Sequence, residues 1–412
     1  MSDREREIDR MVQMAARSRM SRRDLLRRMG IGAGALSVSA LAAACGVGGE
    51  SNGGGSGGTE KKNELTTTKV AGELDFANWP LYIDKVKKER PTLNDFEKDT
   101  GITVNYKEVI DDNQSFFGTI NEPLASGQAT GWDLIVVTDW LVAKMIGLGY
   151  LEEIEQPRIK NFYDHAGSIY QDRVYDPGNK YSIPWQSGIT GIGYNPKLTG
   201  REITSYEDLY DPAFKGKVGM MTEMRDTMNL ALLGLGIDPQ EATVEDAEKA
   251  QQKLLEQRDG EIVRQYYGNG YADALAREDL ALTMAWSGDI FILQLDNPDL
   301  KFVVPEEGGI LWTDCMAIPE GAEHPIDAME MMNYVYDPKI AAQIAGYVNY
   351  ICPVPEAQEI LASSGDSYYK QVAESDLVFT TPEVEAKLHS YKNLNEEEEE
   401  AWNELFDEVV SG

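Results

Sequence analysis

Cysteine and histidine are the scarcest residues of this 412-residue chain, with three of each. His165, His324 and His389 lie far apart in sequence and no Cys/His pair has metal-ligand spacing, so no dedicated zinc or copper site is expected. Basic residues are also in short supply, 38 against 70 acidic, for a net charge of −32. A body this acidic repels nucleic acid and anionic lipid headgroups, which argues against a nucleic-acid role. The chain also lacks an apolar run long enough to span a membrane. Its softest stretch, Gly30 to Ala44, is short and made mostly of Gly and Ala. There is no G-x-S-x-G elbow, Ser/His/Asp constellation, phosphate loop or dinucleotide fingerprint, so catalysis is not expected, and no repeat of fixed period occurs.

What is present begins with an address. Ser21-Arg22-Arg23-Asp24-Leu25-Leu26-Arg27 ahead of the short apolar stretch reads as a twin-arginine export signal. Cys45, after Leu41-Ala42-Ala43-Ala44, resembles the acylated cysteine of a lipobox, with the aliphatic residue one position further out than the commonest pattern. Residues 1–45 thus form a lipoprotein signal, and the expected location is extracytoplasmic, held to the membrane through a lipid on Cys45. Residues 46–68, which include GVGGESNGGGSGG, have the composition of a flexible tether. Removing the nine basic and five acidic residues of 1–45 takes the net charge from −32 to −36. That charge serves solubility or attracts cationic ligands. The run Glu396 to Glu400 reads as a solvated helix start, because Trp402, Leu405, Phe406 and Val409 follow at helical spacing. Cys315 and Cys352 remain as an even pair in an oxidising compartment, where they form a disulfide or stay as buried thiols.

From Lys69 onward short strands and helices alternate. Leu74 to Trp79 and Ile102 to Tyr106 alternate as strands around a helix from Pro91 to Thr100. Trp132 to Thr138 (WDLIVVT) is an unbroken apolar run of the kind buried on both faces of a parallel sheet, and Asp139 caps a helix from Trp140 to Leu148. Further strands are expected at Tyr181 to Tyr194, Lys217 to Met221, Leu280 to Trp286, Lys301 to Pro305 and Ile310 to Ile318, with helices at Arg225 to Leu233 and Val244 to Arg258. The class is α/β, and about 340 residues favour two lobes with separate cores and a cleft between them.

Five segments in order carry a resemblance: WDLIVVT with Lys144-Met145, YSIP at 181–184, GIGYN at 191–195, YEDLYDPAFKGKV at 206–218 and EEGGILWTDCMAIP at 306–319. Together they resemble the polyamine-binding receptors of ABC importers, the spermidine and putrescine binders, from about Gly72 to Pro355. The resemblance implies a two-lobed periplasmic-binding-protein fold of class II that closes over its ligand. Lobe 1 would comprise 69–186 and 312–350, lobe 2 would comprise 187–311, and the helices of 351–412 would pack across the hinge. The implied partners are a small cationic ligand, an ABC permease and, through the anchor, the membrane. No cofactor is implied.

A polyamine is a row of ammonium groups joined by methylenes, so its receptor needs carboxylates at intervals between apolar or aromatic walls. Glu223 and Asp226, three apart at the start of a helix, share a face, either as amine ligands or as acids favoured by the helix dipole; Arg225 between them faces elsewhere. Trp312 and Asp314 share one face of a strand and offer a ring and a carboxylate. By resemblance they are ring wall and central amine ligand, and Trp286 is another ring of the box; core packing is the alternative. Trp79 and Tyr82 match the family's N-W-x-x-Y turn, while Pro80 and Leu81 replace residues that are usually polar. Thr138, Asp139 and Trp140 occupy the second contributing loop, with Asp139 either replacing the lost carboxylate or acting only as a helix cap. Tyr350 completes the set. The alternative reading is a receptor for a sugar or a quaternary amine.

Overall fold

The computed structural model describes residues 70–110, 112–268 and 270–411. The twin-arginine segment, Cys45 and the tether lie outside the described residues. The strands are β1 (Glu73–Asn78), β2 (Thr103–Glu108), β3 (Leu134–Thr138), β4 (Ser182–Tyr194), β5 (Val218–Met221), β6 (Val263–Tyr267), β7 (Leu282–Trp286), β8 (Lys301–Val303), β9 (Gly309–Ala317) and β10 (Leu388–His389). They form one sheet in the order β2-β1-β3-β9-β4-β7-β5-β6, with β10 beside β9 and β8 beside β4. The β2-β1-β3 end and the β7-β5-β6 end are each parallel, and the two long strands β9 and β4 join them through antiparallel pairings. Because α/β crossovers return each parallel strand in the same direction, the carboxyl ends of β1, β3, β5 and β7 all open toward the middle of the molecule.

The helices that matter here are α1 (Pro91–Thr100), α2 (Asn113–Ala125), α3 (Asp139–Leu148), α4 (Met224–Gly234), α5 (Val244–Asp259), α6 (Ser287–Gln294), α7 (Pro325–Val335), α8 (Pro338–Val348) and α9 (Glu396–Val410). Among the described residues no helix is long and apolar enough to cross a membrane. The unbroken apolar character of β3 follows from its position. Leu134 and Val136 enter a cluster with Leu74, Phe76, Phe96 and the α7 and α8 methionines and isoleucines, whereas Ile135 and Val137 enter the other principal cluster on the opposite face.

The two clusters divide across the faces of β3. The second runs from Phe116, Phe117 and Trp140 on α2 and α3 through Met220 and Leu282 to Leu254, Trp402 and Phe406. The C-terminal stretch also divides: helices at 357–362 and 367–373 pack in succession beside α8, whereas α9 packs along α5. α9 begins with a capping box in which Asn395 and Glu398 satisfy each other's backbone N–H groups. Glu399, in the same acidic run, is buried and paired with Lys144 and Arg225, so the run is not wholly a solvated surface.

Of the two alternatives for the cysteine pair, the structure shows the second. Cys315 and Cys352 are free buried thiols. Cys315 Sγ lies 3.4 Å from Tyr175 Oη and Cys352 Sγ lies 3.5 Å from the Val354 carbonyl, so each is turned toward a different polar partner. Burial pushes both thiols up, Cys352 to about 12.

Candidate functional site

Five loops and strands converge on one line of rings. Tyr82 after β1, Tyr350 after α8, Trp312 on β9, Trp286 at the end of β7 and Tyr271 follow one another with centroid separations of 6.0, 5.4, 6.5 and 5.9 Å, each pair edge to face. Two glycines make the close packing possible. A Cβ on Gly188, directly opposite Trp312 across the β4–β9 ladder, would fall 2.2 Å from the Trp312 ring, and one on Gly288 would fall 2.6 Å from the Tyr350 ring.

Carboxylates alternate with these rings. Asp314, 6% exposed, sits opposite Thr138 in the β3–β9 ladder. Tyr82 Oη donates to its Oδ2 and Thr138 Oγ1 to its Oδ1, both at 2.7 Å. Burial pushes its carboxyl up to about 6 although both hydrogen bonds pull it down. Asp226, 1% exposed, receives three donors: Thr190 Oγ1 at 2.7 Å, Tyr391 Oη at 2.5 Å and Trp286 Nε1 at 3.0 Å. Burial again raises its pKa. Glu223 stands at the N-cap position of α4 without making a side-chain cap. Burial, then the nearby charges of Asp226 and Asp112, push it up to about 7. Asp289, in the first turn of α6, accepts from Tyr271 Oη at 2.6 Å and Tyr350 Oη at 3.2 Å.

The remaining expected residues have other engagements. Trp79 sends its indole N–H to the Val136 carbonyl at 2.9 Å, which pins the turn after β1 to the neighbouring strand. Within that turn Leu81 adopts a left-handed φ of 61°, a strained conformation for leucine, and its N–H donates to Glu108 at 3.2 Å. Asp139 is the first residue of α3, and its two oxygens accept the Trp140 N–H at 2.7 Å and the Thr313 N–H at 3.2 Å. Both oxygens thus hold backbone N–H groups, one at the start of α3 and one on β9, while the cap position itself is Thr138, which makes no side-chain cap bond. Burial pushes it up to about 7. Trp140 already faces a cation: the Arg225 guanidinium lies 4.4 Å from its ring centroid, and Arg225 is only 4% exposed.

Asp289, Tyr391, Tyr271 and Thr190 escaped the sequence reading. Asp289 had a usable signal, since an acid in the first turn after a strand is the pattern that marked Asp226. Tyr391 had none, because it reaches Asp226 from 165 residues away in sequence. An open depression of about 410 Å³, lined by Arg173, Asp238, His389 and Ser390 among others, shares no residue with this site.

Residues 131–368 match the family described as bacterial extracellular solute-binding protein. The spermidine/putrescine-binding periplasmic protein 1 of Haemophilus influenzae is 27% identical over 298 residues, covering 72% of this chain and 79% of its own length. The spermidine/putrescine-binding periplasmic protein of Escherichia coli is 29% identical over 295 residues, covering 70% and 80%. The solved structure of the spermidine/putrescine ABC transporter substrate-binding protein PotD from Streptococcus pneumoniae superposes with a TM-score of 0.71 at 24% identity, covering 82% of this chain and 98% of that one, and supports the fold. The family match spans more than half of the chain and the fold agrees with it: the chain belongs to the bacterial extracellular solute-binding proteins.

Proposed function

We propose that this protein is an extracytoplasmic receptor that binds a linear polyamine, spermidine or putrescine, and delivers it to an ABC permease. One observation carries the reading: the buried carboxylates Asp314 and Asp226 are held by hydroxyls and an indole N–H, not by lysine or arginine, and they alternate with a line of aromatic rings. Neutral donors orient an acid without cancelling its charge, so a cation placed between the rings gains the full attraction. A sugar would find hydroxyl partners here, but no need for so much buried negative charge.

In this reading Asp314 and Asp226 bind ammonium groups, Glu223 and Asp289 extend the row, and Trp312, Trp286, Tyr82 and Tyr350 wall the methylenes. Trp140 serves Arg225 and α9, not the ligand. The rings touch one another in this structure, so binding requires them to part, which fits two lobes, 69–186 with 312–350 and 187–311, moving about β4 and β9. The mature chain would be tethered by a lipid on Cys45 after twin-arginine export, and it would act without catalysis or cofactor. Isothermal titration with putrescine and spermidine tests the reading. Micromolar or tighter binding that Asp314→Asn removes is expected, and heat from an oligosaccharide with none from either polyamine would overturn it.

A further inference from the structure

Asp314 is held from one side by Thr138, and Thr138 is itself held by a residue with no other evident task. Asn113, the first residue of α2, faces Thr138 with both ends of its amide. The Thr138 backbone N–H donates to Asn113 Oδ1 at 3.1 Å, and Asn113 Nδ2 donates to Thr138 Oγ1 at 2.7 Å. The first bond fixes the second. A backbone N–H can only donate, so the amide oxygen must face it, which leaves the NH2 group at the hydroxyl. The Thr138 oxygen then acts as acceptor toward Asn113, and its single proton is free for Asp314 Oδ1, 2.7 Å away. Asn113 is not needed as the helix cap, because Asp112 already accepts the Ser115 N–H at 2.7 Å.

We propose that Asn113 is a positioning residue for the ligand site: by clamping both backbone and hydroxyl of Thr138 it directs the hydroxyl proton onto Asp314 and keeps that carboxylate ionised and aimed. It acts through Thr138 and touches no ligand. Without the clamp the hydroxyl rotates, its proton divides among other acceptors, and the buried carboxylate loses one of the two donors that offset its burial. The titratable groups around Asp314 are Tyr82 from the turn after β1, Asp139 from the start of α3 and Cys315 beside it on β9, with Arg173 acting on Asp139. None of these lies in α2, so a change at Asn113 reaches Asp314 by way of Thr138.

The test has two arms, and only the second rests on the polyamine reading. In the first, the Asp314 side-chain carboxyl is titrated by carbon NMR in the ligand-free protein. Its midpoint, about 6 in the native chain, should rise toward about 7 in Asn113→Ala and in Thr138→Val, and no further when the two are combined. In the second, putrescine affinity should fall about fivefold in Asn113→Ala but not fall again when Asn113→Ala is added to Thr138→Val. A midpoint that ignores Asn113→Ala, or an affinity loss of equal size in both backgrounds, would overturn the proposal. If the native chain binds no polyamine, the function reading fails while the titration still decides the role of Asn113. Should Asn113→Ala not fold, Asn113→Ser, which keeps an oxygen at the helix start, takes its place in the same two measurements.

Discussion

The β2-β1-β3 end of the sheet and the β7-β5-β6 end have the same parallel build, yet they bring opposite chemistry to the middle. Where β1 and β3 stop, the chain presents donors: the Tyr82 phenol, the Thr138 hydroxyl and, behind it, Asn113. Of the acids there, Asp139 is spent on backbone N–H groups and Asp84 is held by Thr92 and Gln343. Where β5 and β7 stop, the chain presents acids: Glu223, Asp226 and Asp289, each in or beside the first helical turn. The bridging strand β9 adds Asp314, which faces the donor side. Topology accounts for where these residues meet, since the two parallel sets run in opposite directions and their carboxyl ends face each other across β9 and β4, which brings the following turns together. It does not account for which charge they carry, so one half prepares the carboxylate of the bridge while the other supplies charge of its own.

This asymmetry predicts unequal losses on substitution. Asp226→Asn, on the acid side, removes a buried charge surrounded by three donors and should weaken polyamine binding about 100-fold or more, roughly 3 kcal/mol. Thr138→Val, on the donor side, removes one hydrogen bond to a charge and should cost about fivefold to tenfold, roughly 1 to 1.5 kcal/mol. Calorimetric titration of the two proteins with the same ligand measures the difference. Equal losses would mean that the halves do not divide the work in this way.

Acidity sharpens the contrast further, because affinity and stability should respond to it in opposite directions. Burial holds Asp314 at about 6 and Glu223 at about 7, against ordinary values of 3.8 and 4.5. A cation binds the ionised acids, so affinity should fall as pH drops from 8 through about 6, and Glu223→Gln should remove the upper part of that fall. Stability of the ligand-free protein runs the other way. Between the ordinary values and the raised ones the folded chain binds more protons than the unfolded chain, so unfolding becomes harder as pH falls across that window, by at most about 1.4 kcal/mol per pH unit for each extra proton. Thermal unfolding from pH 8 to 5 with and without putrescine separates the two effects. A ligand-free melting temperature that declines steadily on acidification over this range would refute the raised values.

Much of this was legible in the sequence, for reasons that differ by residue. WDLIVVT announces a strand because β3 is buried on both faces, and the spacing of Glu223, Asp226, Trp312 and Asp314 marks acids and a ring on shared faces. β6 was missed, since Val263 to Tyr267 is a half-exposed edge strand with neither an apolar run nor alternation. The choice between a Cys315–Cys352 bond and two buried thiols stayed open in the sequence, because an even count and a permissive compartment say nothing about which way two buried thiols point. Only the tertiary fold shows that Arg225 turns onto Trp140 and Glu399, from where its charge still reaches Glu223. Asn113 was invisible for a similar reason: its importance lies in two bonds to a residue 25 positions away.

The smallest expected effect concerns the outer part of the donor half, far from the rings. His324 Nδ1 lies 2.9 Å from Asp133 Oδ2, an oxygen that also accepts the Asp75 N–H at 2.8 Å. Partial burial works against the charged imidazole, but the hydrogen bond and charge of Asp133 outweigh it, so the pKa is raised. The sign follows: His324 adds stability that is fully present below the ordinary histidine value and is lost as pH rises through the raised one. His324→Gln should therefore flatten the stability profile near neutrality by a small amount, with the Asp133 bonds to the backbone N–H groups of Asp75 and residue 324 left in place. Because the site and this pair share no partner, polyamine affinity should stay within about twofold at every pH. An affinity that tracked His324 would tie the rim of the donor half to the ligand and collapse the distinction between a half that prepares the site and the scaffold that carries it.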